Sequence, residues 1–205
     1  MPLYSDMYYL KFLSIPIFVL LGLEMSTVDV ARWVITKSCS LKVEGSTNVS
    51  KFSCIISNSF RPDTLIMRRS ASSESTFING YMRLNVQDFD CHNPMMTGEL
   101  RKILKAKHFP YMTIRFISLS RYPDNRLKAY PINGLVSIEL AGVTKNFNVA
   151  YMVSPTGKNT IVLKGIKEIK FSDFNIVPPR KIGGMIQTSD KLIAEFNLAL
   201  QLIKD

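Results

Sequence analysis

The chain has 205 residues, 46% of them apolar, which fits one all-β barrel or sandwich with a real hydrophobic core. Its formal charge of +10 suits an anionic partner: a membrane surface, lipopolysaccharide, a phosphorylated lipid or nucleic acid. No G-x-S-x-G, C-x-x-C or P-loop sequence occurs, so the commonest signatures of nucleophilic, redox and nucleotide-binding enzymes are missing.

Residues 1–25 read as a secretory signal peptide. Lys11 precedes the mostly apolar run Phe12 to Leu23, which is short of the roughly 20 residues that span a bilayer but fits a signal h-region. Asp6 is out of place in an n-region, so the expected start is Met7; the cut is expected between Gly22 and Thr27. No cysteine follows the run, which argues against a lipoprotein anchor, and an uncleaved anchor helix is the competing reading. Removing residues 1–25 takes away Asp6, Lys11 and Glu24, a net charge of −1, and leaves a domain over 26–205 with +11. The expected location is periplasmic or secreted.

Trp33 to Thr36 opens the first strand, and Ser40 to Gly45 leads into a turn. Asn48 to Ile56 returns, with Phe52, Cys54 and Ile56 on one face. Residues 57–77 are polar and Ser-rich and read as a long mobile loop or weak edge strand. Ile78, Met82, Leu84 and Val86 then alternate as a strand. One internal helix follows: Asn93 suits the N-cap, Pro94 the first helical position, and Met96, Leu100, Ile103 and Leu104 share a face. It must stop by Phe109, which precedes Pro110.

Met112 to Phe116 is the next strand. From Ile132 to Val153 two alternating runs flank Ala141-Gly142-Val143-Thr144, with Val136, Ile138 and Leu140 on one face and Phe147, Val149, Tyr151 and Val153 on the other strand's face. Thr160 to Leu163 and Ile166 to Phe171 read as another pair turning at Lys164-Gly165. Pro178 to Gly184 reads as a flexible connection, and Leu192 to Leu202 as the last strand. Short, regularly spaced strands with one helix predict a single antiparallel barrel.

Leu140-Ala141-Gly142-Val143-Thr144-Lys145 before an apolar strand resembles the GVTK hairpin of the YceI-like family of lipid- and polyisoprenoid-binding proteins. The opening WVITKSCSLKVEGSTNVSKFSC, the order helix, His-Phe-Pro, strand, and the segment Phe171 to Ile176 are also similar to that family, over most of residues 33–203. The resemblance implies an all-β, lipocalin-like barrel of about eight strands whose interior takes a long isoprenoid or fatty chain. The F-x-C pattern around Cys54 and Cys91 echoes one branch of the family and implies a disulfide between them; Cys39 departs from it. A Cys39–Cys54 pair across the first hairpin remains the rival.

Chemistry beyond binding finds little support. Asp88, Asp90, Cys91 and His92 form a conceivable metal cluster, but consecutive side chains diverge at a strand-to-helix junction, so no metal is expected. His108, Asp173 and Glu195 lack evident acid–base partners, and no catalytic residue is assigned. The expected ligand-facing residues are Met82, Leu84, Phe116, Phe147, Tyr151, Phe196 and Leu198, although each would serve equally as core. A portal is expected at Ile176 to Gly184. There Pro178 and Pro179 cannot join a sheet ladder, Gly183 and Gly184 leave the backbone permissive, and Arg180 and Lys181 can meet a head group.

The resulting expectation is an exported carrier of an isoprenoid quinone, polyprenol or fatty amide. It would be a monomer or homodimer, with no cofactor beyond that lipid. A basic envelope protein that holds anionic lipid or polysaccharide around a filled core is the alternative. Membrane-surface contact is compatible with either. Nucleic acid is not expected, because most aromatics alternate inward instead of lying beside the basic strands.

Overall fold

The computed structural model describes residues 28–57, 63–70, 73–124 and 126–203; the signal-peptide reading lies outside them. The elements in chain order are β1 (Val28–Ile35), β2 (Ser40–Thr47), β3 (Lys51–Ser57), β4 (Thr64–Ser70) and β5 (Thr76–Asn85). Then come α1 (Pro94–Ile103), β6 (Tyr111–Leu119), β7 (Tyr130–Leu140), β8 (Val143–Gly157), β9 (Thr160–Lys170), β10 (Arg180–Lys181) and β11 (Ile186–Ile203). Eight strands close an antiparallel barrel in the order β1, β4, β5, β6, β7, β8, β9, β11, with β11 pairing back to β1.

The length of β11 makes this closure possible. Its last stretch, Leu200 to Ile203, pairs β1, while Thr188 to Asn197 pairs β2, so the β2–β3 hairpin extends the wall at one end. Leu192, Ala194, Phe196, Leu198 and Leu200 face inward and are buried, as a period of two requires. Each fully buried Leu or Phe contributes ~1.5–3 kcal/mol by leaving water.

The β7–β8 hairpin turns on two residues, Ala141 and Gly142, with φ of 52° and 83°. Positive φ at both central positions gives the tight turn whose twist matches the flanking strands. Glycine at 142 has a second cause: a Cβ there would lie 2.6 Å from the Phe109 ring. Toward the far end of the barrel Trp33 is buried, and its Nε1–H donates to the Tyr122 hydroxyl at 3.1 Å.

Three sequence expectations are corrected. Residues 64–70 are neither loop nor edge: β4 is paired on both sides, by β1 and β5. The opening segment is two strands, not one, broken at residues 36–39 where Thr36 N–H turns to the Ala199 carbonyl. Lys164-Gly165 is no turn, because β9 runs unbroken from Thr160 to Lys170. Gly165 is there because a Cβ would meet Tyr151 Cδ1 at 2.6 Å.

Candidate apolar binding site

The end of the barrel opposite Trp33 is built around α1. Asn93 Oδ1 accepts the Met96 N–H at 3.0 Å and Pro94 opens the first turn, so the helix starts where its local signals place it. Two ties hold the segment entering α1 against β3, and a third holds α1 to that segment. The Ile55 and Asp90 backbones exchange hydrogen bonds, Cys54 is disulfide-bonded to Cys91, and Arg101 Nη2 donates to the Phe89 carbonyl at 3.1 Å. On the far side of the barrel wall, β8 pairs β9 only from Ala150 onward. The single turn Phe171–Phe174 packs near the splayed segment, with the Phe174 ring 5.9 Å from Phe147.

Two apolar spaces result. An inner cavity of about 60 Å³ is lined by residues including Leu41, Leu104, Met112, Ile138, Phe174 and Phe196. An outer cleft of about 220 Å³ lies between α1, the β2–β3 hairpin and residues 179–188, with Val49, Met96, Ile103, Lys181 and Ile186 in its walls. Four residues line both spaces: Phe52, Cys54, Leu100 and Phe171. They form the partition. Phe52 reaches inward because Gly45, directly opposite it in register, has no side chain; a Cβ there would lie 2.3 Å from Phe52 Cζ.

Asp190 fixes one edge of this wall. Its carboxylate accepts the Ser172 N–H at 2.9 Å and the Ser172 hydroxyl at 2.6 Å, and these bonds hold its pKa below the usual carboxylate value. At the lip, Lys181 Nζ stands 4.0 Å from Glu99 Oε2 of α1.

Of the residues expected to face a ligand, Phe196 lines the inner cavity. Met82, Leu84, Phe116, Tyr151 and Leu198 are buried elsewhere in the barrel core, and Phe147 is half-buried against Phe174. Burial alone pushes the Tyr151 phenol far above its usual pKa, so it stays neutral. Among the expected portal residues Lys181 lines the outer cleft, while Arg180, Gly183 and Gly184 lie along the same segment outside it. Phe52, Leu100 and Phe171 were not singled out from sequence. Their signals in the sequence are the F-x-C phrase for Phe52, the apolar helix face for Leu100 and the family-like segment Phe171 to Ile176 for Phe171.

Cys39 is buried and unbonded to another cysteine, its sulfur taking the Ala199 N–H at 3.3 Å. Burial pushes its thiol pKa up, which makes it a small core residue and not a reactive one. Among the described residues no three His, Cys, Asp or Glu gather as a metal site. The outer wall carries more aromatics than the alternation suggested. Tyr81, Tyr111 and Phe77 point outward, with Arg83 4.4 Å above Tyr111 and Arg115 5.9 Å above Tyr81.

A YceI-like domain is matched over residues 27–200. The fold is similar to that of Burkholderia cenocepacia BcnA, at 17% identity and a TM-score of 0.60 over 78% of this chain and 95% of that one. It is also similar to a polyisoprenoid binding domain from Saccharophagus degradans implicated in plant cell wall breakdown, at 10% identity and a TM-score of 0.58, covering 82% and 97%. No curated protein is significantly similar in sequence.

Proposed function

The chain belongs to the YceI-like domain family, and from that premise we propose that it binds and carries a long apolar chain, such as an isoprenoid quinone, a polyprenol or a fatty amide. The observation that carries this reading is the shared partition: an outer apolar cleft and an inner apolar cavity meet at Phe52, Cys54, Leu100 and Phe171. A ligand tail enters beside α1, displaces Phe52 and Leu100, and passes toward Phe196. The inner cavity of about 60 Å³ is far below the ~300–1,000 Å³ of ordinary ligand pockets, so uptake requires these side chains to move. The ring of Phe52 is only half-buried and therefore less tied than the core behind it.

The polar end of the ligand stays at the lip beside Lys181. A location outside the cytoplasm agrees with the Cys54–Cys91 disulfide, since such bonds persist in oxidising compartments. The similarity to a domain described as polyisoprenoid binding supports the choice of ligand class.

The test is organic extraction of natively expressed protein followed by mass spectrometry, together with titration by added quinone and polyprenol. A co-purifying isoprenoid or acyl lipid is expected. Repeated extraction of no lipid, with no binding of either added compound, would overturn the reading.

A further inference from the structure

The lip of the outer cleft carries large apolar side chains that the fold itself does not use. Val49, in the β2–β3 turn, is 68% exposed, Ile182 is 67% exposed and Met185 is 73% exposed. They belong to one tip. Asn48 Nδ2 donates to the Met185 carbonyl at 2.8 Å, and Asn48 Oδ1 accepts the Gln187 N–H at 3.0 Å, clasping the two turns together. Ile182 is the oddest of the three. Its φ is 51°, in the left-handed region where a β-branched side chain is an outlier, and Gly183 and Gly184 continue that conformation at 62° and 94°. Asparagine or glycine would make the same turn with less strain. An isoleucine that is both strained and exposed adds nothing to the isolated fold.

Basic residues flank these prongs along the chain. Lys51 follows the β2–β3 turn, and Arg180 and Lys181 precede Ile182. Protruding apolar groups flanked by basic residues, one of them also 4.0 Å from Glu99, match the boundary of an acidic lipid bilayer, where the prongs enter the acyl region and the lysines and arginine meet anionic head groups. Val49 and Lys181 also line the outer cleft, so docking by this tip would set the cleft mouth against the lipid.

We propose that the tip formed by Val49, Ile182 and Met185 docks on an anionic phospholipid membrane, so that the ligand moves between bilayer and cleft without crossing water. The inference rests on the apolar-chain reading above, but its test separates the two. Purified full chain is floated with vesicles of phosphatidylglycerol mixed with phosphatidylethanolamine, and with phosphatidylcholine vesicles, at low and high salt. Wild type should float with the acidic vesicles and fall away with salt. Ile182→Asn, and Met185→Ser added to it, should each weaken apparent vesicle affinity about tenfold, the scale of burying one such side chain.

Thermal unfolding guards against a trivial loss. Ile182→Asn should hold or raise the midpoint, since asparagine tolerates the left-handed turn. Neither Ile182 nor Met185 lines the outer cleft, so binding of a short, water-soluble isoprenoid analogue should be unchanged in both variants, and its failure in wild type would strike the carrier reading alone. Docking is overturned if wild type ignores acidic vesicles at low salt, or if the variants float equally well. Light scattering that shows a dimer broken by the same substitutions would also overturn it, because the tip would then be covered by a second copy.

Discussion

Tyr151 lies in a slot left open by Gly134 and Gly165, whose added Cβ atoms would meet its ring at 2.8 and 2.6 Å. Alanine at 165 must therefore push a fully packed ring, and Gly165→Ala is expected to cost about 1–3 kcal/mol in urea unfolding. The cost should shrink by at least ~0.5 kcal/mol in a Tyr151→Leu background, because ring and Cβ compete for one volume. Equal costs in both backgrounds would refute the slot. From sequence alone Gly165 reads as a turn, since glycine interrupts strands and turns alike. The ring that decides between them sits on another strand. Asp190 offers a residue-scale test in pH. Its bonds from Ser172 depress its pKa from a usual value near 3.8. A depressed carboxylate contributes stability above that value and loses it as pH falls through the folded pKa, hence below about pH 4. Asp190→Asn should flatten that acid limb in a pH series of thermal midpoints, while an unaltered limb would assign the loss to other groups.

At the scale of elements, the Cys54–Cys91 bond ties β3 to the chain entering α1 across a sequence separation of 37. A cross-link closing such a loop is worth up to about 4 kcal/mol through the entropy of the unfolded chain. Replacing both cysteines by alanine should lower unfolding stability by ~3–4 kcal/mol, and dithiothreitol should do the same to wild type but not to the variant. No difference between oxidised and reduced protein would deny the bond any structural role. The helix was legible because its signals are local: Asn93, Pro94 and the spacing of Met96, Leu100 and Ile103 lie within a few turns. The β7–β8 hairpin was legible for the same reason. β4 was not. Leu65 and Met67 point inward, but Arg68 and Arg69 follow in succession and serines crowd the flank, while its partner β1 lies some forty residues away. Pairing on both sides, with β1 and with β5, makes that segment a strand.

For the whole molecule, alternation along each strand predicts which face is inside, yet an inward phenylalanine looks the same whether it fills a core or lines a cavity. The site arises where α1 and residues 179–188 stand off the β2–β3 hairpin, an arrangement no single segment encodes. That is why Phe52, Leu100 and Phe171 escaped notice and Phe196 did not. Phe52 gives the sharpest test of how the two spaces communicate. Its ring lines both and rests over Gly45, so Phe52→Ala removes the movable part of the partition and leaves the disulfide in place. Truncating a half-buried ring should cost about 2–3 kcal/mol, below the range for a fully buried one. If the ring gates the passage, release of a fluorescent isoprenoid analogue should quicken about tenfold, equivalent to ~1.4 kcal/mol off the barrier. Phe52→Leu should fall between alanine and wild type. The readout is stopped-flow displacement by excess unlabelled ligand, which separates exchange rate from affinity. Release rates identical in wild type and Phe52→Ala, with the variant still folded and still binding, would mean that the ligand does not pass this wall and remains in the outer cleft.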